Sequence, residues 1–329
     1  MLWCRICFVV LLGWAMPAPF AAANSSQTAE IDQPDWRKNL GTFRVGIVSA
    51  NRPLLAKRRA QPFVRALSDA LGMPVELEAF PDFATMAQTQ AAGRLEYAVY
   101  SATSFALAWK LCKCIQPLAA PLTRSGADGV RTVLFSMQKT DPSVETILRQ
   151  GVLYGGASSF ATFQWPAYQL RSQLPPSMTL NLINAGSVRT AVDQLYTGEA
   201  SAMFGWEFSH DGEPTNKKSQ EKNQRWRGTR DMFGSKRSNL KAVWRSPPVR
   251  FGPHAVLKTI NEEAKLILWS TLQDLKSDAP QAYHAIEPRL GGGFDAVSKA
   301  DYQNVIEMIE PQSQRSPFDE AGLSHQRNR

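Results

Sequence analysis

Short apolar β-type runs, each followed by about a dozen residues of helical periodicity, occur twice over in this chain, and that alternation limits its fold more than any other feature. The first series opens with Phe43-Arg-Val-Gly-Ile-Val48. A helical pattern then carries Leu54, Leu55, Phe63, Val64, Leu67 and Leu71 on one side and stops at Gly72. Pro74 to Phe80 alternates as a strand, a helix starts at about Asp82 and runs to Gly93, and Leu95 to Tyr100 is the third strand. A helix from Ser104, a strand near Ile115 to Leu118 and a long β-type run, Arg131 to Met137, continue it. The grammar then restarts: helix Pro142 to Gln150, strand Val152 to Tyr154, helix Phe160 to Arg171, strand Met178 to Ile183, helix Val188 to Tyr196, strand Ala202 to Gly205, with Ala242 to Arg245 as a returning strand. Such alternation implies parallel pairing through right-handed crossovers. Two restarts predict two α/β lobes.

The ends read differently. Met1 to Ala23 has Arg5 near its start, an apolar run from Ile6 to Met16 and a small-residue ending, the layout of a cleaved secretory signal; an uncleaved anchor is the alternative. Residues 24–42 are a polar leader and 311–329 a polar tail expected to be disordered. From Ser246 the chain reads as prolines and then helices (Asn261 to Leu275, Pro280 to Ala285, Lys299 to Glu310) without new strands, Gly291-Gly-Gly293 being a turn. The net charge is +8, and losing Arg5 with the signal leaves +7. Much of that surplus lies in 210–240, a basic stretch that reads as an exposed insertion. A secretory signal and the lack of a nucleic-acid module disfavour nucleic-acid binding. Cys112 and Cys114 are the cysteines that survive cleavage; they could close a small disulfide or stay as thiols, and no further Cys or nearby His completes a metal set. No catalytic constellation is visible among the scattered histidines, so neither an enzyme nor a cofactor is expected.

In a sheet of this type ligands sit beyond the carboxyl ends of the strands. Those ends carry Ser49, Asn51 and Arg52, then Tyr100, Ser101 and Thr103. The second series places Ser158, Ser159 and Thr162 after Gly155-Gly156, where a helix start aims unpaired amides and its positive end at the turn; an ordinary N-cap at Ser159 is the plainer reading. Ser187 and Arg189 begin the next helix, and Arg189 is either an anion clamp or an exposed helix residue. Arg52 has the same two readings. Tyr100 and Ser101 either meet a ligand or pack, and Trp206, beside Glu207, stacks on a ligand or fills a core.

Taken in order, Phe43 to Val48, Tyr97 to Ala106, Asp141 to Leu148, Gly151 to Pro166, Ala185 to Val192 with Tyr196 to Ala200, and Pro248 to Val256 resemble the periplasmic substrate-binding proteins of ABC importers for phosphonate, phosphate and phosphite, over Phe43 to Glu310. The resemblance implies a two-lobed type II periplasmic-binding fold, each lobe a mostly parallel sheet flanked by helices, joined by two crossing strands: 43–130 and 246–310 in lobe one, 131–245 in lobe two. It implies a monomer in the periplasm that delivers a small anionic or zwitterionic ligand to a membrane permease; a sensing or accessory protein of the same fold is the alternative. Where the family carries Ser-Thr-Ser-Gly this chain has Ser159-Phe-Ala-Thr162, and Val188-Arg189 replaces a His-acid pair, with Glu207 as a counterpart of the family's later acid. These departures point to a bulkier ligand than an aminoalkyl phosphonate, one that is aromatic or bears a carboxylate.

Overall fold

The computed structural model describes residues 35–138, 142–209 and 228–309, which apart from Asp35 fall in the unit that starts at Trp36. The expected signal sequence, the part 210–227 of the basic insertion and the tail lie outside the described residues.

The first sheet has the strand order β12-β4-β11-β3-β1-β2. Its strands are β1 (Phe43–Val48), β2 (Val75–Phe80), β3 (Tyr97–Val99), β4 (Ile115–Thr123), β11 (His254–Leu257) and β12 (Gly291–Ala296). The alternating side chains of β1 explain its place: Phe43 and Val45 are fully buried against α2 (Pro53–Leu71), which presents Phe63, Val64, Leu67 and Leu71 to them. Proline at its first turn and the left-handed Gly72 at its end set the limits of α2. Helices α8 (Glu262–Asp278) and α9 (Pro280–Ile286) complete that face. The other face packs on α3 (Phe83–Ala91), capped by Asp82, and on α4 (Ala102–Cys112) and α10 (Gln303–Ile309).

The second sheet has the order β10-β5-β8-β6-β7, with β9 also on β5. Here β5 is Gly129–Ser136, β6 Val152–Tyr154, β7 Leu182–Asn184, β8 Ala202–Ser209, β9 Lys241–Arg245 and β10 Val249–Arg250. Helices α5 (Val144–Gln150) and α6 (Trp165–Gln173) cover one face, and α7 (Val188–Thr197) with the segment 229–240 covers the other. Residues 124–128 and 246–253 connect the sheets.

Two sheets flanked by helices and joined twice match the expected architecture, but the sheets are mixed. Only β1–β2, β1–β3, β6–β7 and β6–β8 run parallel. The connecting strands enter each sheet antiparallel: β11 between β3 and β4, and β5 against β8, β9 and β10. Nor is the region after Ser246 free of strands. β11 is buried at all four positions and Gly291–Ala296 is an edge strand on β4, not a turn. The helix expected over Phe160 to Arg171 opens as a π-turn, Phe160–Gln164, before α6.

His254 on β11 is 1% exposed. Its ring lies between Tyr97 and Phe294, and its Nδ1 shares a hydrogen bond with the Tyr97 hydroxyl. Burial holds its pKa at about 3, below the ordinary 6.5. The unfolded imidazole takes a proton below about 6.5 and the folded one does not. Stability from this residue is therefore complete above that pH and falls as pH drops, by about 2 kcal/mol between pH 6.5 and 5. Denaturant midpoints should show that loss in the native chain, and a His254→Phe variant should lack it over the same interval.

Candidate functional site

Three helices begin at carboxyl ends of parallel strands, each with a serine N-cap. After β3, Ser101 and Ser104 form a reciprocal cap: the Ser104 amide donates to Ser101 Oγ at 3.1 Å and the Ser101 amide to Ser104 Oγ at 2.8 Å. After β6, Ser159 Oγ accepts from the Thr162 amide at 3.3 Å and from Thr162 Oγ1 at 2.7 Å. Thr162, fully buried, in turn accepts the Gly155 amide at 3.1 Å. After β7, Ser187 Oγ accepts from the Thr190 amide at 3.0 Å, and Asn184 Oδ1 takes the Gly186 amide at 2.8 Å. These caps satisfy the third amide of each helix. They leave the first two amides of each, at Ala102 and Thr103, Phe160 and Ala161, and Val188 and Arg189, which are the donors an anion needs.

The β6 turn touches the start of α7. A Cβ on Gly155 would come within 2.8 Å of the Val188 amide nitrogen, so only glycine lets the β6 turn lie on the start of α7. The α4 start meets the connecting segment instead: a Cβ on Gly252 would fall 2.0 Å from the Tyr100 carbonyl oxygen. From the opposite side that segment is held by Trp165. Its Nε1 donates to Ser246 Oγ and to the Pro247 carbonyl, each at 3.1 Å. Trp165 is 1% exposed, stacks between Phe160 and Tyr168, and belongs to the same apolar cluster as Tyr100, Ala102 and Phe105 of the first sheet.

The residues singled out in the sequence distribute unevenly over this frame. Ser49, half-buried, and Asn51, exposed, follow β1, and Arg52 caps α2 on the surface without a side-chain cap bond. Tyr100 is 4% exposed and its hydroxyl donates to Gln90 Oε1 at 2.8 Å, inside the sheet-one core; burial pushes its phenol pKa up, so it is neutral. Ser101 and Ser158 are exposed, Thr103 half-buried. Arg189 does not turn toward the neighbouring turn: its guanidinium is 68% exposed and pairs along the helix with Asp193 at 3.3 Å. The second helical position simply projects onto the solvent face of α7. Glu207 is held by Arg245 at 2.8 Å, and Trp206 is half-buried, with its ring edge-on to Phe208, which meets Phe251 of the connecting segment.

A cation not singled out in the sequence stands on β5. Arg131 pairs across β5–β8 with Glu207, and Gly129 pairs with Ser209, so Arg131, Glu207 and Ser209 share a face at the end of the sheet where β6 and β7 terminate. The Arg131 Nε and the Ser209 Oγ are both buried with no hydrogen-bond partner among the described residues. Among the described residues no cluster of three or more His, Cys, Asp or Glu could hold a metal, and no helix is long and apolar enough to cross a membrane.

A family described as ABC transporter, phosphonate, periplasmic substrate-binding protein matches residues 45–302. A Xanthomonas citri protein solved bound to ATP superposes with a TM-score of 0.55 at 15% identity, covering 82% of this chain and 96% of its own. Its chloride-bound form gives 0.54 at 15% identity over 82% and 97%. The Mycoplasma hyorhinis protein Mh-p37, a proposed thiamine pyrophosphate transporter, gives 0.50 at 11% identity over 81% and 98%. At these identities the likeness is one of fold. No curated protein sequence matches the chain.

Proposed function

Because the chain belongs to the family of periplasmic substrate-binding proteins of phosphonate ABC transporters, we propose that it captures a small oxyanion at its serine-capped helix starts and passes it to a membrane permease. The observation that carries this reading is the contact of the β6 turn, which leads into the Ser159-capped helix, with the start of α7. A phosphonate, phosphite or sulfonate group offers several oxygens to such amides, and each helix start adds favourable potential. Arg131, with its unpartnered Nε, supplies the compensating charge in place of Arg189, and the Trp206 ring contacts the organic part of the ligand. Met1 to Ala23, read as a secretory signal, supports a periplasmic location. Capture and hand-over without chemistry is the role that fits a transport family.

Thermal unfolding in the presence of methylphosphonate, phosphite, phosphate, an alkanesulfonate and acetate tests the reading. A ligand at a hundred times its Kd adds about 2.7 kcal/mol, a rise of several degrees in Tm. At least one tetrahedral anion should give that rise, acetate a smaller one. No rise for any tetrahedral anion would overturn the proposal. Arg131→Gln should weaken the best ligand about tenfold, the loss of one charge-assisted contact, while Arg189→Gln leaves its affinity unchanged.

A further inference from the structure

We propose that the Cys112–Cys114 disulfide is a thiol–disulfide exchange centre, opened and re-formed in the folded protein by a dithiol/disulfide partner. The bridge is present, with the Cα atoms 5.0 Å apart. It encloses a single residue, so it closes almost no loop and removes little entropy from the unfolded chain; holding the fold together is not what this placement achieves. The backbone around it is secured without it. The Lys113 amide donates to the Trp109 carbonyl at 2.6 Å, the Cys114 carbonyl accepts the Lys258 amide at 2.7 Å, and β4 starts at the next residue. Lys113 is also the one non-glycine with positive φ, +52°, among the described residues, the left-handed cap that ends α4 between the two cysteines.

Access and charge suit exchange. Cys112 and Cys114 are half-buried, while Leu111 and Lys113 beside them are exposed. Lys113, exposed between the two cysteines, puts a positive charge next to the pair, which favours thiolate. The Cys114 amide donates to Cys112 Sγ at 3.2 Å, which makes Cys112 the better leaving group. The partner's thiolate therefore attacks Cys114 Sγ, and the S–S bond breaks with its electron pair leaving on Cys112, which takes up a proton. The partner's second thiol then attacks its own sulfur in the mixed disulfide and releases Cys114 as a thiolate that is protonated in turn. Two electrons pass, and the partner departs as a disulfide; a partner arriving as a disulfide runs the sequence backwards. The centre lies at the carboxyl end of α4, opposite the Ser101 helix start, so its chemistry does not require the anion site.

The test uses the mature protein without ligand. Native protein is incubated with millimolar dithiothreitol, alkylated with iodoacetamide and weighed by mass spectrometry, with near-ultraviolet circular dichroism recorded alongside. Expected are alkylation of both cysteines within minutes without denaturant, an unchanged dichroism spectrum and closure of the bridge on adding glutathione disulfide. A Cys112→Ser variant should capture glutathione on Cys114, and Lys113→Glu should slow reduction several-fold. Cysteines that resist alkylation until denaturant is added, or a tertiary spectrum that collapses on reduction, would overturn the proposal. Either outcome is independent of whether a phosphonate or sulfonate shifts Tm.

Discussion

Replacing Arg250 with alanine is expected to lower the unfolding free energy by about 3 kcal/mol. Arg250 sits on β10, in the second connection between the sheets, with its side chain 14% exposed. Its Nη1 meets Asp128 Oδ2 at 2.7 Å, and Asp128, on the first connection, is itself 9% exposed. Weaker pairs reach Asp295 at 3.4 Å and Asp301 at 3.8 Å, both on the sheet-one side. Backbone bonds run along the same seam, from the Phe251 amide to the Asp128 carbonyl and from the Asp128 amide to the Ser209 carbonyl. Removing the guanidinium leaves a buried carboxylate next to two others, which is why the loss should exceed that of an ordinary surface pair, about 0–1 kcal/mol. Equilibrium denaturation of Arg250→Ala, Asp128→Asn and the double variant gives the coupling. The double variant should recover part of the loss, because it no longer buries a lone charge. If the Arg250→Ala midpoint moves no further than that of Arg189→Ala, an exposed pair, the seam contributes nothing special.

What the sequence revealed of this architecture was what local physics decides. β1, β2 and α2 follow from period, Gly72 from helix stopping, and the Asp82 and Ser159 caps from their side-chain chemistry. β11 and β12 escaped because their strand character comes from neighbours. His254–Leu257 follows a proline and carries a histidine, yet it is enclosed between β3 and β4. Gly291-Gly-Gly293 has poor strand propensity on its own, but a Cβ on Gly292 would fall 2.0 Å from the Thr123 carbonyl oxygen, so the edge of β4 admits a strand only where side chains are missing. The same division runs through the candidate site. Ser159 and Ser187 were legible as helix starts, whereas Ser101 read as a strand end with the helix beginning at Ser104, three residues past its actual cap. The pairing of Arg189 with Asp193 is an i,i+4 contact that competes with any ligand role, and Arg131 acquires its position only through its cross-strand register with Glu207. The Ser159-Phe-Ala-Thr162 departure has a structural counterpart too. Phe160 has left the hydroxyl pattern to join the stack on Trp165, so part of what the family sequence offers to a ligand is here committed to packing.

That commitment predicts the second large effect. Trp165→Ala should cost about 3–5 kcal/mol, the range for deleting a fully buried large aromatic, and should also loosen the hold of the second sheet on the connecting segment. The residue is 1% exposed, its ring lies 5.8 Å from those of Phe160 and Tyr168, and its Nε1 reaches both Ser246 and Pro247. Alanine removes the apolar contacts and both hydrogen bonds together. Trp165→Phe separates them: it keeps much of the ring burial and loses the donor, so it should cost about 1–2 kcal/mol. The Ser246 hydroxyl would still be engaged, since it donates to the Pro247 carbonyl at 2.8 Å and accepts the Thr132 amide at 2.9 Å. Denaturant midpoints of the two variants order the effects. Hydrogen exchange at the Ser246 and Tyr100 amides, which bond to the Thr132 and Pro253 carbonyls, then locates them. If Trp165 clamps the connection, those two amides should lose protection in Trp165→Phe while the β1–β2 ladder keeps its own. Equal loss everywhere would reduce Trp165 to an ordinary core residue.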